Sequence, residues 1–322
     1  MPNQFIGNHS LYFYAQKATV SGTVALKATV PDTMALEKIH ERFTTVSVCK
    51  KGTGTTYMLQ IKNLTLTHKK DLREILSNFS CVFNNGDKAV IIGEEGNGKS
   101  TLLKWLYDPS LVEEYCEAEG ERLVSGEVLG YLAQELPKED QQKSVYEFFS
   151  EQESFWNQTP KELNQKAVKF HIAPDFFYRE QQMSTLSGGE KVKAQLMRIL
   201  FAEPTVLLLD EPSNDIDIET LETLEELILS WDKIVIYISH DETLIERTAN
   251  KIIHIEQIRR KTKSRFCIAN TSYTEYLKNR SSQMENQARQ AADERRQKQI
   301  RDEKFQRIYQ SVEHAQAVIT RQ

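Results

Sequence analysis

KAVIIGEEGNGKSTLLKWLY, residues 88–107, decides how this chain folds. The apolar run at 88–92 reads as a buried strand. From Ser100, leucine, tryptophan and tyrosine recur at three- and four-residue spacing, which reads as a helix. Between them lies a glycine-rich loop that satisfies G-x-x-x-x-G-K-[ST] through Gly93, Gly98, Lys99 and Ser100. Glycines let the backbone curl until consecutive N–H groups face one anion. The helix that follows directs its partly positive end at the same point. Lys99 is placed to reach β- and γ-phosphates, and Ser100 offers a hydroxyl to Mg²⁺. Residues Gly93, Glu94, Glu95, Gly96, Asn97, Gly98, Lys99, Ser100 and Thr101 are therefore the candidate phosphate-binding set. A glycine-rich turn with a chance lysine would not need a strand before it and a helix after it.

Working outward, TVLLL (205–209) and KIVIYIS (233–239) also read as buried parallel strands. The first runs into Asp210 and Glu211. A carboxylate at that strand end can hold the hydration shell of Mg²⁺. The next can accept a proton from, or orient, an attacking water. GGEKVKAQLMRILFA and IETLETLEELILSW read as amphipathic helices. Strands alternating with helices predict an α/β domain with a mainly parallel core sheet. That domain is expected to start at Met58, with YMLQIKNLTLTH as an alternating strand, and to run to about Gln257. Residues 135–185 are polar with helical patterning, so a helical insertion is expected there. Residues 1–57 show no sustained period. They read as a poorly ordered extension, with a small strand pair around TVSGTVALKATV as the competing reading.

The chain of 322 residues holds 41 Lys and Arg and 46 Asp and Glu. Residues 258–322 carry 15 and 7 of these, which leaves 26 and 39 for the rest. An acidic body with a basic tail fits a tail that meets a polyanion, and equally a solvated helix face. From Tyr273 there is no Gly or Pro, so a long helix is expected. Phe305, Ile308, Val312, Ala315 and Ile319 would give it a narrow apolar seam. No apolar run approaches the roughly 18 residues of a membrane span, so no membrane insertion is expected. The four cysteines are Cys49, Cys81, Cys116 and Cys267. They lack metal-ligand or CxxC spacing and read as reduced thiols of a cytoplasmic protein.

LSGGE (186–190) adds a second anion-binding turn, with Ser187, Gly188 and Gly189 opening a helix whose first N–H groups are free. With the loop at 93–101 and the carboxylates at 210–211, the sequence resembles the ATP-binding-cassette ATPases. The likeness covers roughly residues 58–256. The resemblance implies an ABC-type cassette: a mainly parallel core sheet, an antiparallel β subdomain, a helical insertion and, here, a long C-terminal helix. It implies ATP and Mg²⁺ as ligands. By the same resemblance, Gln134 in GYLAQE senses Mg²⁺ and the attacking water. His240 in YISHD touches the γ-phosphate, and Ser187 faces a nucleotide bound to an opposite cassette. Glu211, His240 and Gln134 are then the catalytic candidates, and Ser100, Gln134 and Asp210 the metal candidates. His68 falls where the family stacks adenine on Tyr or Phe. A stacking imidazole and a ligand-free surface histidine both remain open there.

Three uses of such a cassette are weighed. DEPSNDIDIETLETLEELI and the Tyr-rich lead into a long charged helix resemble the ABC-F class, whose twin cassettes act on ribosomes. In that class the helix belongs to a linker that reaches toward tRNA, and a basic linker would neutralise rRNA phosphates. The alternative is the nucleotide-binding subunit of a membrane transporter. The third is a module that binds ATP without turnover, which the presence of Glu211 disfavours. One set of motifs is present where the ABC-F class has two. The chain is therefore expected to be a first-half fragment, or to pair with a second copy, with weak turnover as a monomer.

Overall fold

A computed structural model describes residues 58–319, apart from residue 125 and residues 259–262. The expectation for residues 1–57 lies outside the described residues. In chain order the elements are strands β1 (Met58–His68), β2 (Glu74–Asn84) and β3 (Lys88–Ile92), then helices α1 (Lys99–Tyr107) and α2 (Ser110–Glu113). Strands β4 (Cys116–Val124) and β5 (Leu129–Leu132) follow. Helices α3 (Lys138–Gln141), α4 (Val145–Ser150), α5 (Glu153–Trp156), α6 (Pro160–Lys169) and α7 (Gly188–Phe201) come next. The remainder is β6 (Val206–Asp210), α8 (Ile218–Ser230), β7 (Ile234–Ile238), α9 (Glu242–Thr248), β8 (Lys251–Ile258), β9 (Lys263–Ala269) and α10 (Tyr273–Ile319).

Six strands form the core sheet in the order β5-β6-β7-β3-β8-β9. All neighbours run parallel except β9, which returns antiparallel along β8. Every residue of β6 and β7 is buried, which is why both read as unbroken apolar runs. Alternation still sorts them between two cores, because successive side chains leave opposite faces. Val90, Leu207, Leu209, Val235 and Tyr237 pack on one side with α7 and α8. Ala89, Ile91, Val206, Leu208, Ile234 and Ile236 pack on the other with α1 and the second sheet. That second sheet is antiparallel, in the order β2-β1-β4.

Residues 135–185 are helical, as expected, but they are not merely polar. Phe148, Phe149, Phe155, Phe170, Phe176 and Phe177 are buried together with Phe201 of α7. Phe149 alone meets five rings at centroid distances of 5.0–6.4 Å. Helices this short have little intrinsic stability, so capping matters. Ser144 with Glu147 and Thr159 with Glu162 each form a capping box, satisfying two orphan backbone donors reciprocally.

The root of α10 is fixed to the last parallel strand. Tyr276 is buried and its hydroxyl lies 2.5 Å from His254 Nδ1. Arg280 ion-pairs with Glu256, and the Thr274 N–H donates to the Glu246 carboxylate at 2.8 Å. Beyond this root Phe305 and Ile308 are exposed. No helix among the described residues is long and apolar enough to cross a membrane.

Candidate functional site

The loop after β3 folds as its glycines demand. Gly93, Gly96 and Gly98 have φ of +150°, +75° and +83°, a region that L-residues with a Cβ avoid. Space is the second constraint. A Cβ on Gly93 would stand 2.2 Å from the Ile255 carbonyl oxygen, and one on Gly98 would stand 1.9 Å from Ile75 Cγ2. Asn97 is buried and its side-chain amide donates to that same Ile255 carbonyl at 3.2 Å. The loop is thereby tied to β8, the strand that also holds the root of α10.

Lys99 is buried at the start of α1, and its ammonium donates to the carbonyls of Gly93 (2.8 Å) and Glu94 (3.2 Å). Burial lowers its pKa, opposed by the negative charges of Glu211, Glu95 and Asp210. The Ser100 hydroxyl donates to Asp210 at 2.8 Å. On its other oxygen Asp210 accepts from the Tyr131 hydroxyl at 3.2 Å. Burial raises the Asp210 pKa, and these two hydrogen bonds pull the other way. Glu211 follows with φ +51°, a left-handed backbone that turns its side chain out of the strand direction. Its Oε1 lies 3.2 Å from His240 Nε2, while its Oε2 is buried with no partner. Burial raises the Glu211 pKa, against the lowering effects of His240 and Lys99.

Lys99, Ser100, Glu211 and His240 share one cavity of about 390 Å³, whereas Gly93, Glu94, Asn97 and Asp210 are not among its lining residues. Lys99, Ser100, Thr101, Glu95, Gly96 and Gly98 line it from the loop side, and Gln134, Glu211 and His240 from the other. His68 lines it too. The Ser187 turn is not among the lining residues. Ser187 is instead an exposed N-cap of α7, with Glu190 closing a capping box. A Cβ on Gly188 would stand 2.0 Å from the Asp215 carbonyl oxygen, so the turn packs tightly on the loop after β6. Within one chain the sequence-derived residues thus form two separate surfaces, the cavity and the Ser187 turn.

Four lining residues were not evident from sequence: Arg73, Ile75, Tyr115 and Asn214. Tyr131, which donates to Asp210 without lining the cavity, was missed as well. Asn214 lies within the SNDID segment that follows the carboxylates, which was the one available signal.

Residues 76–214 match the family model described as ABC transporter. The chain carries an ATP-binding-cassette ATPase domain. The cassette is 33% identical over 187 residues to the ATP-binding protein Uup of Escherichia coli K12, covering 56% of this chain and 28% of that protein. It is 30% identical over 201 residues to Uup of Buchnera aphidicola subsp. Schizaphis graminum, covering 60% and 32%. Another relative is the ribosome protection protein VmlR of Bacillus subtilis, 30% identical over 197 residues and covering 60% and 33%. The chain spans about a third of the length of these relatives. Among solved structures, a metal-chelate type ABC transporter in an inward-facing conformation aligns with a TM-score of 0.51 at 19% identity. It covers 66% of this chain and 83% of that one, and shares the cassette fold.

The donor set of the cassette fits a nucleotide-bound Mg²⁺. No cluster of three or more His, Cys, Asp or Glu among the described residues could hold a metal alone. Mg²⁺ is usually held by one or two protein oxygens plus substrate phosphates. Ser100 Oγ and Asp210 Oδ1, 2.8 Å apart beside the loop, are such a pair.

Proposed function

We propose that this chain is the first cassette, residues 58–257, and the start of the basic linker, residues 258–322, of an ABC-F-type ATPase that works on the ribosome in the cytoplasm. The observation that carries the ATPase reading is the convergence of Lys99, Ser100, Glu211 and His240 on one cavity, with Asp210 hydrogen-bonded to Ser100 at 2.8 Å. In this reading the loop amides and Lys99 hold the β- and γ-phosphates of ATP. Ser100, Asp210 and Gln134 are the groups that would hold Mg²⁺. The ion supplies neutralisation of charge on the transferring phosphoryl group. Glu211 orients the attacking water and takes its proton. A raised carboxyl pKa brings it nearer the range of an effective general base. His240 steadies Glu211 through the 3.2 Å contact and faces the γ-phosphate.

The exposed Ser187 turn suits a composite site, in which Ser187, Gly188 and Gly189 close over a nucleotide held by a second cassette. That second cassette is the missing half of a longer protein or a second copy. The ribosomal part rests on α10, a 47-residue charged helix, on the basic excess of residues 258–322, and on the likeness to VmlR. So long a charged helix after the last strand is unusual for a transporter subunit, the alternative.

Two measurements test this reading. Glu211→Gln should retain ATP binding and stop turnover; an unchanged rate removes Glu211 from the water-activating role. In the ATP-bound Glu211→Gln chain, co-sedimentation with ribosomes should occur and weaken as salt rises. Absence of ribosome binding at low salt, with recovery in a membrane fraction, would favour the transporter reading.

A further inference from the structure

Asp210 ends the core strand β6, and its two oxygens are held by different neighbours. Oδ1 accepts the Ser100 hydroxyl at 2.8 Å, and Ser100 lines the 390 Å³ cavity. Oδ2 accepts the Tyr131 hydroxyl at 3.2 Å, and Tyr131 lines a second cavity, of about 720 Å³, rather than the first. An ionised carboxylate has no proton to give, so the phenol is the donor of that contact. Hydrogen bonds to a charged acceptor are among the stronger kinds. Asp210 is only 1% exposed, so its carboxylate has no solvent to swing into.

The phenol is itself fixed. Tyr131 belongs to β5, which pairs in parallel with β6 and sets Tyr131 opposite Leu208. Its ring stacks on Tyr107, with centroids 5.1 Å apart and planes inclined at 24°. Tyr107 is the last residue of α1, and the Arg122 guanidinium donates to the carbonyls of Leu106 and Tyr107 at 2.6 Å each. Ser100 lies in the first turn of the same helix. One helix therefore fixes both partners of Asp210, Ser100 directly and Tyr131 through Tyr107.

A carboxylate held in this way has one oxygen beside a cavity residue and the other committed to the phenol. It can serve an ion through one oxygen, but it is not free to clamp an ion with both. The distinction separates two common divalent cations. Mg²⁺ demands near-octahedral geometry at about 2.0–2.1 Å, whereas Ca²⁺ gathers about six to eight oxygens at about 2.3–2.6 Å and readily takes both oxygens of one carboxylate.

We infer that Tyr131 is a positioning residue that sets the ion preference of the triphosphate site: by occupying Oδ2 it keeps Asp210 a one-oxygen ligand and favours Mg²⁺ over Ca²⁺. The inference rests on the nucleotide and Mg²⁺ reading above.

The test is calorimetric binding of a non-hydrolysable ATP analogue to the full chain under three conditions: saturating Mg²⁺, saturating Ca²⁺, and a chelator with no ion. The wild type should take the Mg²⁺ complex more tightly than the Ca²⁺ complex. Tyr131→Phe keeps the ring against Tyr107 and frees Oδ2. In that variant the Mg²⁺ preference should fall by about tenfold, while the ion-free affinity stays at its wild-type value. A preference that changes by less than about threefold overturns the inference. Equal weakening under all three conditions would make Tyr131 a strut of the sheet and overturn it too. Equal wild-type affinity for the two complexes overturns it whether or not the variant folds. A wild type whose affinity is the same with and without ions sinks the Mg²⁺ site as well. One that binds under none of the conditions sinks the triphosphate site with it.

Discussion

Gly98→Ala probes the phosphate loop where backbone and packing constraints coincide. At φ +83° and ψ +19° the residue sits in the left-handed region, where a Cβ costs about 1–2 kcal/mol. The same Cβ would stand 1.9 Å from Cγ2 of Ile75, a buried residue of β2. Overpacking of that kind adds about 1–3 kcal/mol. The cassette should therefore lose about 2–5 kcal/mol of stability, and ATP affinity should fall because the loop amides shift. The two contributions separate in an Ile75→Ala background. There the methyl is gone and Gly98→Ala should cost only the backbone part, about 1–2 kcal/mol. Urea unfolding of the four chains yields the coupling directly. Equal costs of Gly98→Ala in both backgrounds, to within about 0.5 kcal/mol, would refute the contact. An unchanged ATP affinity would refute the link to the loop.

Three further outcomes are expected. Asp210→Asn should stabilise the nucleotide-free chain at neutral pH. Burial raises the folded-state pKa of Asp210, so the native state disfavours the charge once pH climbs through the carboxylate range, near 4 and above. The gain in melting temperature should shrink as pH falls toward 4, and a gain that grows on acidification contradicts the sign. Phe149→Ala removes the ring at the centre of the aromatic cluster and should cost about 3–5 kcal/mol; loss below about 1 kcal/mol would show that the cluster relaxes around the gap. Lys99→Ala should weaken ATP binding, checked by calorimetry, and unaltered affinity would remove the ammonium from the phosphate site.

The parallel sheet was legible because β3, β6 and β7 are buried on both faces and carry no polar interruption. The loop at 93–101 was legible because its glycines serve backbone geometry, which is local. The aromatic core of residues 135–185 was not. Its phenylalanines come from α4, α5, α7, the residue just after α6 and a 3₁₀ turn at Pro174–Tyr178, so no single window carries their period. Arg73 and Tyr115 were equally hidden. Both reach the cavity through the pairing of β1 with β2 and β4, and such register is invisible in composition. His68 was singled out by its resemblance to the family's adenine-stacking position, while Asp71, 2.9 Å from its Nδ1, was passed over in the sequence.

Strand β8 serves two neighbours at once. Ile255 holds Asn97 of the loop through its carbonyl, and the residues on either side, His254 and Glu256, hold Tyr276 and Arg280. Helix α10, at 1.5 Å per residue, extends about 70 Å from that root. It is a lever whose fulcrum lies one residue from the loop's anchor. Rocking the fulcrum by one degree sweeps the far tip through about 1.2 Å, so a disturbance too small to see beside the phosphates becomes displacement on an atomic scale at the other end.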